Sequence, residues 1–333
     1  MEHPPLERAP RFTWNRDAGP GAGAYNPGSP GALPMTRILC LGMSALDAIY
    51  SVPAIPSAPT KVLATAYAES GGGMAANASV AVARLGGRAH YWGRIGDDAL
   101  GTRILGELSA EGVDVTGARR IPGCVSPSAA ILVADDGERL VCAYNDPNLD
   151  PDASWLPLGE ISTFGAVLAD VRWPAGAAAM LDAARAAGLP AVLDADIGPP
   201  EVLLNLTPRA THAIFSAPGL ASVAGPGDVG ACLARIAATH SGVVGVTLGP
   251  DGFLWRRDGV EKRVAAFPIV AVDTLAAGDV WHGAFTLALG GGSDVDDAAR
   301  LANAAAAIKC TRFGGRRGAP TRAEVAAFIA KRG

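Results

Sequence analysis

The chain has 333 residues, 49% of them hydrophobic and only 18% charged. Against about 25% charge in an average soluble domain, this excludes a disordered or polyelectrolyte protein, and the length suits one large core or two units of roughly 150 residues. The net charge of −4 belongs to the body, since Glu2, Glu7 and Asp17 cancel Arg8, Arg11 and Arg16 near the start, and a weakly acidic body argues against nucleic acid or a membrane surface as partner.

Residues 1–34 hold seven prolines and five glycines. They lack the apolar segment of about 7–15 residues that a secretory signal needs, and read as a flexible leader, a tag or an overcalled start before Met35. From Met35 onward, apolar runs alternate with Ala-rich stretches of helical length. Arg37–Met43 reads as a strand, Ala75–Leu85 as a helix, His90–Ile95 as a strand and Leu100–Glu111 as a helix. Further on, the strand candidates are Ala166–Val171, Ala191–Asp194, Ala213–Ser216 and Val243–Leu248, and the helix candidates are Ala175–Ala187, Gly230–His240, Ala277–Leu289, Asp296–Thr311 and Arg322–Lys331. This is the pattern of an α/β fold: a doubly wound, mostly parallel sheet with helices on both faces. Two places break the alternation. Lys61–Glu69 reads as extended, and Ser128–Ala134 and Arg139–Asn145 flank Asp136-Gly137, a hairpin turn signal. Strands from about 61–70 and 128–145 are therefore expected to form a small β-sheet, either a lid over a cleft or a plain extension. The main domain then spans 35–333. No apolar stretch reaches the roughly 18 residues of a membrane span, and five scattered cysteines fit reduced thiols in a cytoplasmic protein.

Ala271–Leu289, AVDTLAAGDVWHGAFTLAL, is the most informative stretch. Ala276, Ala277 and Gly278 have little side chain to shield their amides, and a helix N-terminus with bare amides attracts anions. Asp279, in the first turn, is placed to accept a proton from a substrate hydroxyl, or else only complements the helix dipole. In SGGGMAANASVAVARLG (Ser70–Gly86), glycines allow a ligand close to the backbone and Asn77 can bond hydroxyls; a tight turn is the alternative. Asp47 follows the first strand, where ligands of parallel sheets bind. VTLGPDG (Val246–Gly252) suits a nucleotide phosphate or a simple strand connection. Asp194 and Asp196 end a buried strand and suit magnesium-bound water or a solvent-facing turn. No lysine follows a glycine, so there is no Walker A loop, and C-x-x-C, H-E-x-x-H and G-x-S-x-G are all missing. Gly225, Gly227 and Gly230 fit G-x-G-x-x-G, but Pro226 lies inside the motif and helix-like residues precede it. A nicotinamide-dependent oxidoreductase is thus a weak alternative.

GGGMAAN together with DTLAAGD resembles the ribokinase-like, or PfkB, family of carbohydrate kinases, from about Arg37 to the C-terminus. The resemblance implies a β lid, ATP, Mg²⁺ and transfer of the γ-phosphoryl to a sugar hydroxyl. By that likeness Asp279 is the base and Ala276, Ala277 and Gly278 the anion hole. Asp47, Gly72, Gly73 and Asn77 match sugar-contacting positions, and Thr247, Gly249 and Gly252 match the nucleotide region. Asp273 resembles a position near a monovalent-cation site, and a homodimer through the lid is in keeping with the family. The stretch FSAPGLA has Ser216 and Gly219 where many members carry Asn-x-x-Glu, so the magnesium ligands are not assigned. Within the family, VLADVRW, FSAPGLA and IKCTRFGGRRG resemble the sulfofructose kinases, which phosphorylate the 1-hydroxyl of 6-deoxy-6-sulfofructose. Lys61 and Arg172 match their sulfonate-holding positions, whereas Ala143 stands where they carry an asparagine. Kinases for fructose 6-phosphate, fructose or ribose, and a sugar sensor without activity, are the other readings.

Overall fold

Residues 36–135, 138–149 and 151–332 are described by a computed structural model of the chain. The leader expected at 1–34 and the Asp136-Gly137 turn signal lie outside the described residues. Strand β1 (Arg37–Gly42) is followed after two residues by β2 (Ala45–Val52), and β3 (Ala66–Gly72) runs into helix α1 (Met74–Arg84). Next come β4 (Arg88–Gly96), α2 (Ala99–Ala110), β5 (Asp114–Ile121), β6 (Ser128–Ala134) and β7 (Arg139–Tyr144). The second half contains β8 (Ala166–Asp170), α3 (Pro174–Ala186), β9 (Ala191–Ala195), α4 (Pro200–Leu206), β10 (His212–Ser216), α5 (Ala217–Ala224), α6 (Val229–Ala237) and β11 (Val243–Thr247). It closes with β12 (Phe253–Arg257), β13 (Val260–Val264), α7 (Ala277–Gly290), α8 (Val295–Cys310) and α9 (Arg322–Ala330).

Among the described residues these strands form two sheets. The larger has the order β13-β12-β11-β10-β9-β8-β1-β4-β5, parallel from β11 to β5, with β12 and β13 added antiparallel. Its parallel strands are near-continuous apolar runs because both faces are covered. Along β1, Ile38 and Cys40 join a core shared with α1, α7 and α8, while Leu39 and Leu41 join a second core with α3 and α6. β1 has β4 on one side and β8 on the other, so the chain winds outward in both directions from it. Such a reversal leaves a crevice beyond the carboxyl ends of the strands, where ligands of doubly wound sheets bind.

The smaller sheet, β3-β2-β6-β7, stands at that crevice. Its strands differ from the expected bounds. β2 is an inner strand that the sequence pattern left out, because it follows β1 so closely that the two read as one apolar run. Pairing of β3 begins at Ala66, so Lys61 lies in an exposed connection. Pro53, Pro56 and Pro59 have no N–H to give to a ladder, which keeps this stretch out of the sheet. The Gly225–Gly230 motif joins α5 to α6 with no strand before it, and Gly225, at φ 76°, ends α5. That geometry removes the dinucleotide reading.

Candidate active site

Helix α7 is apolar nearly all round and buried, as a helix inside a large core must be. Trp281 stacks on Phe285 with centroids 4.7 Å apart, and its Nε1 donates to Asn303 Oδ1 at 2.7 Å. Gly283 lets α1 cross closely: a methyl group there would strike the Ala78 carbonyl. The crossing brings Asn77 to Asp279, with Nδ2 donating to Oδ2 at 2.7 Å. Burial pushes the Asp279 carboxyl up to about 7; the Asn77 bond opposes the shift, and Asp196, Asp170 and Asp47 add to it.

Ala276 caps this helix in the left-handed region at φ 63°, with no side-chain cap. Of the three amides expected to be bare, that of Ala277 donates to the Thr274 carbonyl at 3.2 Å, because the tight turn closes on itself. The Gly278 amide has no acceptor among the described residues, and the space beside its Cα is open. The sequence expectation of three equivalent donors is thus corrected at Ala277.

The glycine run faces Asp47. Asp47 lies in strand β2 rather than in a turn, and a Cβ at Gly72 would overlap its carboxylate. Burial raises Asp47 to about 6, with the Arg316 charge opposing. Gly73, at φ 90°, turns the chain from β3 into α1 with its Cα against the Met43–Ser44 backbone, which an L side chain would not permit. Asn77 Oδ1 is buried with no partner among the described residues.

Below these groups lie more carboxylates. Asp170, at the end of β8, accepts the amides of Met43 at 2.8 Å, Ala75 at 3.1 Å and Arg172 at 2.8 Å. It thereby ties the root of the lid to the start of α1. Asp194, at the end of β9, is raised well above the usual carboxylate range by burial first, then by Asp196, Asp279 and Asp170. His282 Nδ1 stands 3.4 Å from it and 2.8 Å from the Gly278 carbonyl. Burial lowers His282 to about 4, so at neutral pH the ring supplies no compensating charge. Ser216 and Gly219 form a cap, the Ser216 hydroxyl accepting the Gly219 amide at 3.1 Å.

Lys61 is exposed and Arg172 half-buried at the end of β8. Neither makes an ion pair among the described residues. Ala143 pairs with Ala129, which pairs with Asp47, so the three form one row across the lid. Thr247 and Gly249 line an open depression of about 390 Å³ with Ser216, Pro218, Val229 and Asp251, and Gly252 closes its loop by offering its carbonyl to the Leu248 amide at 2.8 Å.

Three residues at the site escaped the sequence reading. Asp170 was legible only as a strand-end carboxylate within VLADVRW. Arg316 is buried with its guanidinium against Gly71 and paired with Glu107 at 3.2 Å. Lys309 is fully buried, its Nζ 3.0 Å from Asp273 Oδ2; a lysine in the last turn of a helix ordinarily reads as a dipole partner.

The pfkB family carbohydrate kinase profile matches residues 35–322. The ribokinase of Bacillus subtilis (strain 168) is 29% identical over 299 residues, covering 87% of this chain and 98% of that protein. The ATP-dependent ribose-1-phosphate kinase of Halopiger xanaduensis is 28% identical over 303 residues, covering 90% and 99%. A crystal structure from Agrobacterium tumefaciens, provisionally named a ribokinase, is 41% identical with a TM-score of 0.85, covering 89% of this chain and 98% of its own. No helix among the described residues is long and apolar enough to cross a membrane.

Proposed function

The chain belongs to the pfkB family of carbohydrate kinases, and from the stretches VLADVRW, FSAPGLA and IKCTRFGGRRG we propose that it phosphorylates the 1-hydroxyl of 6-deoxy-6-sulfofructose. Its class is ATP-dependent carbohydrate kinase. The observation that carries the mechanism is the Asn77–Asp279 pair, a carboxylate held at 2.7 Å with its pKa brought up to about 7 beside an open helix N-terminus. A base working at neutral pH is most effective when its pKa lies near that pH. Asp279 takes the proton of the attacking hydroxyl, and Asn77 holds it in place. The Gly278 amide and the α7 dipole stabilise negative charge on the transferring phosphoryl group, with Ala276 and Ala277 shaping the turn that presents them.

In this reading Asp47 and Asn77 Oδ1, unpartnered among the described residues, take sugar hydroxyls, while Gly72 gives the Asp47 carboxylate its space and Gly73 makes the tight turn into α1 beside them. Lys61 and Arg172 take the sulfonate, being cations with no ion pair among the described residues. The nucleotide lies along Thr247, Gly249 and Gly252. Asp194 and Asp196 would hold Mg²⁺ through bound water, as a pair of carboxylates rather than a cluster of three or more ligands among the described residues. Bound there, the ion would supply positive charge against the phosphates. Five free cysteines suit the cytoplasm. The outer face of the lid, with Tyr67, Leu140 and Tyr144 exposed, is where a second copy of the chain would pack; light scattering on Leu140→Lys would show a monomer in place of a dimer.

The deciding experiment is kcat/KM with ATP across 6-deoxy-6-sulfofructose, fructose 6-phosphate, fructose and ribose. The sulfonated ketose is expected first. Preference for neutral fructose over both anionic ketoses would remove the anion assignment, and no phosphorylated product from any sugar would favour a sensor.

A further inference from the structure

Lys309 lies in the last turn of α8, where a lysine usually extends to water along its own helix. Here the side chain turns inward and is 0% exposed. Its Nζ lies 2.7 Å from the Asp273 carbonyl oxygen and 3.0 Å from Asp273 Oδ2. A buried ammonium is tolerated only with such partners. The same carboxylate also gathers the surrounding backbone. Oδ1 accepts the Leu275 amide at 2.8 Å, and Oδ2 accepts those of Gly314 at 3.0 Å and Gly315 at 3.1 Å. The Asp273 and Val272 amides donate in turn to the Cys310 carbonyl, at 3.1 and 2.7 Å. Three residues further on, Ala276 begins the turn that presents the Gly278 amide.

A carbonyl oxygen and a carboxylate oxygen beside a fully buried ammonium form the kind of oxygen donor set that a hard cation would take. The family resemblance places a monovalent ion near Asp273, but here an ammonium already contacts those oxygens. We propose that Lys309 is a tethered cation that replaces an exchangeable monovalent ion and orders the 273–278 turn from within. The inference rests on the assignment of that turn to phosphoryl binding. Lys309 is a positioning residue: it acts through Asp273 and touches no substrate.

The test measures the melting midpoint of the full-length chain in choline chloride and in KCl at equal ionic strength, for the wild type, Lys309→Ala and Lys309→Met. The wild type should melt at the same temperature in both salts. Lys309→Ala should melt lower in choline and recover by several degrees in KCl, while Lys309→Met, which fills the space without charge, should not respond. In turnover, Lys309→Ala should lose about tenfold or more in kcat with little change in KM for ATP, as a displaced turn would cause, and KCl or ammonium should restore it. A potassium-specific rise in the wild-type midpoint, or wild-type turnover that requires potassium, overturns the proposal. If Lys309→Ala does not fold, wild-type crystals soaked in RbCl decide: a rubidium peak on the Asp273 carbonyl overturns the proposal and its absence supports it. Neither melting nor scattering uses a sugar, so an inactive protein with potassium-blind melting would sink the kinase mechanism and leave Lys309 as assigned.

Discussion

The nine-stranded sheet and the four-stranded lid differ most in how much holds each in place. The large sheet is covered on both faces, and Trp173, Tyr91, Phe215, Phe253 and Phe285 are fully buried in it or against it. In the lid, the buried cluster consists of Ile49, Ala129 and Ile131, with Val133 and Leu275 packed on it, while Tyr67, Leu140 and Tyr144 of its outer face are 55%, 42% and 47% exposed. A thin core costs little to displace, whereas groups that transfer protons need placement within a fraction of an ångström. Asp279 and Asn77 sit on helices locked into the large core. Asp47, Lys61 and Ala143 ride on the lid. On the proposed function, the proton-transfer pair lies in the core and Asp47, Lys61 and the Ala143 position on the lid, with Arg172 the one anion contact at the end of a core strand.

The sharpest attempt to break that separation is Asp279→Asn. Turnover should fall by roughly 10²–10⁴, the usual worth of a general base, with ATP affinity by calorimetry unchanged. Near-normal turnover would take Asp279 out of the role. Gly283→Val comes next. Forcing α1 from α7 should lengthen the Asn77–Asp279 contact and lower kcat by about 10², yet leave the order of sugars in the panel unchanged. A reordered panel would mean that the core also sets selectivity. The pH profile sharpens the same point. Asp279 must be ionised to act, so kcat/KM should be low in acid, rise as pH passes through about 7 and then level off. Asn77→Leu removes the bond that favours the charged form, so the rise should shift to higher pH; an unmoved profile would uncouple the two residues. The smallest effect is expected in the lid. Ala143→Asn adds one donor in the Asp47 row, and a hydrogen bond worth about 1 kcal/mol predicts a roughly fivefold gain for sulfonated over neutral ketose. A collapse of kcat in that variant would show the lid to be part of the chemistry.

Much of the large sheet was legible because a strand buried on both faces leaves an uninterrupted apolar run, as in AVLAD and AVLDA. The helices of nine residues or more were legible, but α4 and α5, at seven and eight residues, are too short to show a helical period. β5 was hidden by its own composition: DVTGARRI lies at the edge of the sheet and carries two arginines. In the site, glycine runs beside helix starts gave away the α1 and α7 entrances, since backbone geometry there restricts the residue type. Pairings between distant segments left no such mark. Arg316 against Gly71, Asp170 on the Met43 amide and Lys309 on Asp273 each join residues roughly 36 to 245 positions apart, and a single charged letter says nothing about its partner.

All four lid strands are anchored at one end. β2 begins and β3 ends there, Ala45 facing Gly72, and β6 begins where β7 ends, Ser128 facing Tyr144. Met43 and Ser44, pinned by Asp170 and by the Tyr91 hydroxyl at 3.0 Å, make the fulcrum. The row Asp47–Ala129–Ala143 lies a few residues from that axis, and Lys61 lies beyond the opposite end, in the connection from β2 to β3. Any rotation of the lid therefore carries Lys61 through a long arc and Asp47 through a short one. A sugar would meet Asp47 in much the same place whether the lid is up or down, and Lys61 only at the close of the swing. On the proposed function, hydroxyls would be read on arrival and the distal charge last, and the lysine would serve as a latch that rewards a ligand of the right length.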